Sequence, residues 1–94
     1  MKTLSAESCV QRKESNLIIS KLDNDLVMMD VESGSYLILN TTGRIIWEQL
    51  EQPILVAVLI KNLMTRFSVD EKTCTAETLD FLNKIAGQKA LSML

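Results

Sequence analysis

The sequence contains no histidine, the side chain on which most neutral-pH catalysis and metal binding depend. Nucleophile pairs of the Ser/His or Cys/His type need an imidazole base, and nearly all zinc and haem sites need an imidazole ligand. The two cysteines, Cys9 and Cys74, are far apart and lack the CxxC spacing of metal or redox sites. We therefore expect no enzymatic activity, no catalytic residue, no cofactor and no metal, with both cysteines as free thiols in a reducing cytosol.

Long apolar runs and clusters of basic residues are also missing. The longest apolar run, residues 54–60, is far shorter than the roughly 20 residues needed to span a bilayer. The N-terminal sequence lacks the apolar segment of a signal peptide. With 10 Lys plus Arg against 12 Asp plus Glu, the chain has no basic excess to neutralise nucleic-acid phosphates. These features favour a soluble, cytoplasmic protein that binds neither membrane nor nucleic acid.

The composition is otherwise that of an ordinary globular protein. The chain has 94 residues, of which 47% are hydrophobic and 23% are charged. A chain of this length can bury roughly two-thirds of the surface that it exposes when unfolded. No linker, repeat or low-complexity segment interrupts it, so we predict a single domain over residues 1–94.

The first half of the chain has the pattern of β-strands. Apolar and β-branched segments at 17–22, 26–31 and 35–39 are separated by polar turns. This pattern predicts a three-stranded antiparallel meander over about residues 17–39. The VQRK segment near Val10 is a possible fourth strand.

The second half has the pattern of three helices, at about residues 41–50, 53–67 and 71–88. Asn40 and the two threonines after it can cap the first helix, and Pro53 suits the first turn of the second. Strands followed by helices, rather than alternating with them, indicate an α+β domain. The elements resemble a winged helix-turn-helix arrangement in permuted order.

A winged helix suggests DNA binding, and the third helix tests this interpretation. A recognition helix offers Arg, Lys, Asn or Gln to base edges and is flanked by phosphate contacts. Here acidic and basic residues are mixed, and no arginine follows Arg66. This mixture is typical of a solvated face. A DNA-binding regulator is retained only as the alternative from another functional class.

The third strand has the sequence of an unprotected sheet edge. Residues 35–39 contain no charge, proline or glycine, whereas natural edge strands usually carry such residues to prevent unwanted pairing. An extended peptide can add to such an edge as a further strand. Two alternatives remain at this point: the VQRK segment covers the edge, or two copies of the chain pair as a homodimer.

Short motifs in a characteristic order run through most of the chain. The first half contains Met28-Met29-Asp30, Gly34, Tyr-x-x-Leu-Asn at 36–40, Thr42-Gly43 and Ile46-Trp47. The second half contains Leu59 and Leu63, Phe-x-Val-Asp at 67–70, and Phe81-Leu82-x-x-Ile85. Together they resemble the PqqD-like family, the recognition elements for ribosomally synthesised precursor peptides. The resemblance covers about residues 10–92. The family usually ends its third helix with Gly-Leu, but Ala90-Leu91 stands here, so we expect that helix to end differently.

The resemblance implies a function without chemistry. Such proteins bind the leader segment of a precursor peptide by β-strand addition and present it to modifying enzymes. The Thr42-Gly43 variant looks most like the free-standing leader-binding subunit of lasso peptide biosynthesis, which works beside a leader peptidase and a cyclase. The alternative within the family is a PqqD-type peptide chaperone for a radical SAM enzyme.

The family's leader lies against the third strand, in a cleft walled by the third helix. This resemblance, together with the unprotected edge, gives the expected leader-binding residues: Ser35, Tyr36, Leu37, Ile38, Leu39, Thr78, Leu79, Leu82, Asn83 and Ala86. Because side chains alternate along a strand, Leu37 and Leu39 should share one face, with Leu39 toward the helices.

The second helix carries more apolar residues than one buried face requires. Val56 and Leu59 already supply that face, so some of the additional apolar side chains should be exposed. We expect Ile54, Leu55 and Val58 to form a docking patch for a partner enzyme or a second copy of the chain.

Overall fold

The computed structural model describes residues 4–94. In chain order the elements are β1 (Cys9–Arg12), β2 (Leu17–Leu22), β3 (Asp25–Asp30), β4 (Tyr36–Leu39), α1 (Thr41–Gln49), β5 (Ile54–Leu55), α2 (Val56–Arg66), α3 (Glu71–Gly87) and β6 (Leu91–Met93). Strands β2, β3 and β4 form an antiparallel meander in that order. The predicted α+β class, a meander followed by three helices, is confirmed.

A second, smaller sheet joins distant parts of the chain. Strand β1, which contains most of the VQRK segment, lies between β5 and β6 and is antiparallel to both. Val10 is opposite Ile54 on one side and Met93 on the other. Because β5 and β6 have only two and three residues, they are too short to show strand periodicity in the sequence.

Helix α2 begins at Val56, three residues later than the sequence pattern predicts, because Ile54 and Leu55 pair with β1. The helix has no side-chain cap. Its first N–H groups instead donate to the N-terminal segment: Val56 N–H to the Ser8 oxygen and Ala57 N–H to the Ala6 oxygen, both at 2.9 Å. The first N–H groups of a helix have no partner within the helix, and here two of them bond to the backbone of the N-terminal segment. The position of Pro53 in the sequence does not indicate this arrangement.

The hydrophobic core lies between one face of the meander and the three helices. Its fully buried members, each less than 2% exposed, include Val10, Met28, Leu50, Val56, Leu59, Leu82 and Ile85. Burying a side chain of this size contributes about 1.5–3 kcal/mol. Both cysteines are free thiols, and Cys74 is buried in this core.

Candidate functional site

Strand β4 forms one edge of the meander, and no strand within residues 4–94 pairs with its open side. The VQRK segment lies in the other sheet, so it does not cover this edge. The sequence alternative in which the chain's own N-terminal segment protects the edge is therefore wrong.

The hydrogen-bond register decides which backbone groups of β4 face outward. Asp30 N–H donates to the Ser35 oxygen at 2.9 Å, which marks these two residues as a hydrogen-bonded pair. Such pairs alternate along an antiparallel ladder. Leu37, opposite Met28, therefore bonds to β3, as does Leu39. The N–H and C=O groups of the residues between, Tyr36 and Ile38, point to the open edge.

A groove of about 560 Å³ runs between β4 and helix α3. The strand contributes Leu37, Ile38 and Leu39, and α3 contributes Cys74, Glu77, Thr78, Phe81 and Lys84. The rest of the lining comes from α1, α2 and the segments beside them: Asn40, Thr42, Gly43, Ile46, Leu63, Phe67 and Val69. The groove is thus mainly apolar, and its two charged lining residues both lie on α3.

Gly43 allows the close approach of α1 and α3 at the groove wall. A Cβ atom at this position would lie 3.0 Å from Cε1 of Phe81 and 3.4 Å from Cβ of Leu39. Carbon atoms in contact prefer about 3.5–4.0 Å, so the absent side chain makes room for the Phe81 ring. This contact gives the Thr42-Gly43 motif a physical meaning.

Polar caps fix the helix starts that flank the groove. The Asn40 side chain accepts a hydrogen bond from Gly43 N–H at 2.9 Å, and Asp70 caps α3 by accepting from Thr73 N–H at 3.1 Å. Hydrogen bonds from the Thr73 side chain and then from its backbone N–H hold the pKa of Asp70 below its usual value. A carboxylate at this position also interacts favourably with the helix dipole.

The five predicted residues of the third strand lie along the open edge, with the predicted alternation. Leu39 is 2% exposed, whereas Tyr36 and Ile38 are 65% and 53% exposed. Leu37 is half-buried and lines the groove with Ile38 and Leu39. Ser35 is exposed directly before β4 and contacts Gln88, beyond the end of α3.

Of the predicted residues on α3, the structure places only Thr78 in the groove lining, where it is 2% exposed. Leu82 is fully buried in the core, and Leu79 is half-buried against the core. Asn83 and Ala86 are exposed and lie outside the lining.

The side of α3 that lines the groove was not predicted from the sequence. That side carries Cys74, Glu77, Thr78, Phe81 and Lys84, which recur at intervals of one helical turn. The signal in the sequence was Phe81, the single aromatic residue of this helix, with polar residues one turn before and after it.

The predicted docking patch lies where β5 joins α2. Leu55 and Val58 are 45% and 43% exposed, whereas Ile54 is partly buried and packs against the core. Two of the three predicted residues, Leu55 and Val58, are therefore accessible to a partner, and Ile54 is less so.

Residues 4–94 contain no group of three or more Cys, Asp or Glu side chains placed to hold a metal ion. Among the helices of this range, none combines the length and apolar character needed to cross a bilayer.

Comparisons with known proteins agree with this geometry. A solved structure, TbiB1 in complex with the TbiA(beta) leader peptide, has the same fold, with a TM-score of 0.73 and 23% sequence identity. The similarity covers 87% of this chain and 94% of that chain. No curated protein sequence matches this chain significantly. The family described as Coenzyme PQQ synthesis protein D (PqqD) matches residues 25–91, which confirms the resemblance seen in the motifs: the chain belongs to the PqqD family.

Proposed function

We propose that this protein binds the leader segment of a ribosomally synthesised precursor peptide as an additional strand on β4. The proposal depends on one observation: the open edge of β4 lies beside an apolar groove. Tyr36 and Ile38 offer two N–H donors and two C=O acceptors to a peptide backbone. Strand addition takes its affinity from such main-chain bonds and its specificity from pockets for alternate side chains.

The groove determines what kind of leader fits. Side chains on one face of an added strand would enter the groove and meet Leu39, Phe81 and Thr78. Those on the other face would lie beside the exposed side chains of Tyr36 and of Ile38, which also borders the groove. The protein therefore selects an extended segment with apolar side chains at alternate positions. The leader peptide bound by TbiB1, a protein of the same fold, supports this assignment.

The protein itself contributes no chemistry in this proposal. It presents the leader to modifying enzymes, a leader peptidase and a cyclase of lasso peptide biosynthesis, in a cytoplasmic setting. The alternative partner, consistent with the PqqD family match, is a radical SAM enzyme. Copurification of the protein with each enzyme class from its own cells distinguishes the two.

Leader binding is tested with a fluorescently labelled leader peptide from a precursor gene, to be sought in the neighbourhood of the gene for this protein. Ile38→Pro removes one outward N–H but leaves the ladder to β3 intact, whereas Ile38→Ala removes the side chain and keeps that N–H. We expect fluorescence anisotropy to show tight binding by the wild type, a modest loss in Ile38→Ala, and at least tenfold weaker binding by folded Ile38→Pro. Equal affinities for the two variants would exclude strand addition at β4.

The docking patch is tested separately from leader binding. Leu55→Glu places a charge in the patch, and Leu22→Glu places the same charge at another exposed leucine, which lies on β2 and is 59% exposed. We expect only Leu55→Glu to slow leader removal by the partner peptidase, with leader affinity unchanged in both variants. Equal processing rates would remove Ile54, Leu55 and Val58 as a docking surface.

A further inference from the structure

The C-terminal end of α3 is fastened to the turn that precedes β4. The Ser35 hydroxyl donates to Oε1 of Gln88 at 3.0 Å, and Nε2 of Gln88 donates to the Ser35 carbonyl oxygen at 3.2 Å. The next residue, Lys89, forms an ion pair with Glu32 of the same turn at 3.3 Å. We call Glu32, Ser35, Gln88 and Lys89 the clasp.

The backbone at Lys89 supplies a second, independent observation. Its φ of 59° is the left-handed conformation in which helices usually place glycine. The N–H groups of Lys89 and Ala90 donate to the oxygens of Ala86 and Ile85 at 3.0 and 2.9 Å, the double pattern that closes a helix in this way. Lys89 thus occupies a backbone conformation that favours glycine, and its ammonium group donates a hydrogen bond to Glu32.

The clasp lies at one end of the groove. Ser35 directly precedes Tyr36, the first residue with outward main-chain groups, and Lys84 of the groove lining is one helical turn before Gln88. Farther along the groove, the side chains of β4 and those of α3 line opposite walls with open space between them. The bonds between Ser35 and Gln88 therefore constrain how far α3 stands from the strand.

We infer that Gln88 is a positioning residue for leader recognition, which acts through Ser35 to hold α3 at the spacing that an inserted peptide requires. This inference rests on the proposed leader-binding function. An added strand lies about 4.7–4.9 Å from its neighbour, and its groove-facing side chains need the wall of α3 at a fixed distance. Without the clasp, binding of the peptide must also fix α3 at the right distance from β4. This ordering costs free energy, so the affinity for the leader is lower.

The test compares two glutamines that make the same kind of contact. Gln88→Ala removes both hydrogen bonds between Ser35 and Gln88 and leaves the Lys89–Glu32 ion pair. Gln49→Ala removes a side-chain hydrogen bond from Asn62, at 3.1 Å, that joins α1 to α2 outside the groove. With the labelled leader described above, we expect Gln88→Ala to bind about five- to tenfold more weakly, through faster dissociation. Gln49→Ala should change the affinity less than twofold.

Two further readouts separate positioning from a general loss of structure. In a double-mutant cycle, Ser35→Ala and Gln88→Ala together should weaken binding no more than Gln88→Ala alone. In the free protein, Gln88→Ala should accelerate amide hydrogen exchange in residues 35–39 and 81–88, but Gln49→Ala should not.

The outcomes are distinguishable from failure of the proposed function. Equal leader affinities for Gln88→Ala and Gln49→Ala at equal thermal stability, or additive effects in the cycle, would overturn the inference. A folded wild type that binds no leader would refute the proposed function instead. Hydrogen exchange needs no peptide and would then decide whether the clasp holds α3 in position. Unchanged exchange rates in Gln88→Ala would show that the clasp does not position α3.

Discussion

Replacing Gly43 by alanine tests whether the contact between α1 and α3 shapes the groove. The new Cβ would lie 3.0 Å from Cε1 of Phe81. Because carbon contacts prefer about 3.5–4.0 Å, the Phe81 ring must move away by a few tenths of an ångström. Phe81 is half-buried and lines the groove, so we expect the ring to move into the space that a leader side chain would occupy.

The expected stability of Gly43→Ala follows from two opposing effects. Alanine favours a helix over glycine by about 0.5–1 kcal/mol, whereas overpacking costs about 1–3 kcal/mol. A matched control is Gly87→Ala, since a Cβ there meets nothing within 4 Å and only the favourable effect remains. We expect Gly43→Ala to be less stable than Gly87→Ala by about 1 kcal/mol, at the low end of the overpacking range, because the Phe81 ring can move into the groove.

Urea unfolding of both variants measures this difference, and leader binding measures the narrowing of the groove. Phe81→Leu should restore part of the stability of Gly43→Ala, because the smaller side chain leaves room for the new methyl group. A Gly43→Ala protein as stable as Gly87→Ala, with unchanged leader affinity, would refute the reasoning.

Three other predictions concern α3. Lys89→Gly should raise stability by about 1 kcal/mol in urea unfolding, since glycine relieves the left-handed backbone and the exposed ion pair contributes little; a loss of stability would contradict this. Leu82→Ala should lower stability by about 2–5 kcal/mol and Asn83→Ala by less than about 0.5 kcal/mol; the reverse order would show that α3 is rotated. Because the folded pKa of Asp70 is lowered, its cap stabilises the protein above the unfolded value of 3.8 and is lost as the pH falls through the folded pKa. Thermal midpoints from pH 6 to pH 2 should therefore fall more steeply for the wild type than for Asp70→Asn, and parallel curves would exclude this role.

The sequence was sufficient to predict the meander and its open edge because each strand has a clear pattern. Residues 35–39 have the aromatic and branched residues of a strand and none of the residues that protect an edge, and the structure places both features where they were expected. The family motifs then supplied an interpretation of the edge that periodicity alone could not give.

The rotation of α3 could not be predicted in the same way. Its sequence contains two neighbouring stripes, one through Leu79 and Leu82 and one through Thr78 and Phe81, and local periodicity does not say which faces the groove. Packing against the other helices decides this, since Leu82 and Ile85 are fully buried. The start of α2 was missed for a related reason, because β5 exists only through its pairing with β1.

The small sheet also has a consequence for the order in which the protein folds. Val10 pairs with Met93, which is almost the full length of the chain away. Bringing two such distant residues together costs conformational entropy that grows with the length of the chain between them, so these pairs form slowly. During synthesis, β1 emerges from the ribosome early, but its edge that pairs with β6 stays unpaired until β6 has been synthesised. The meander can assemble from neighbouring segments in the meantime. The groove therefore acquires its final geometry only after translation has reached the end of the domain, because α3 contacts β6, the strand that follows it.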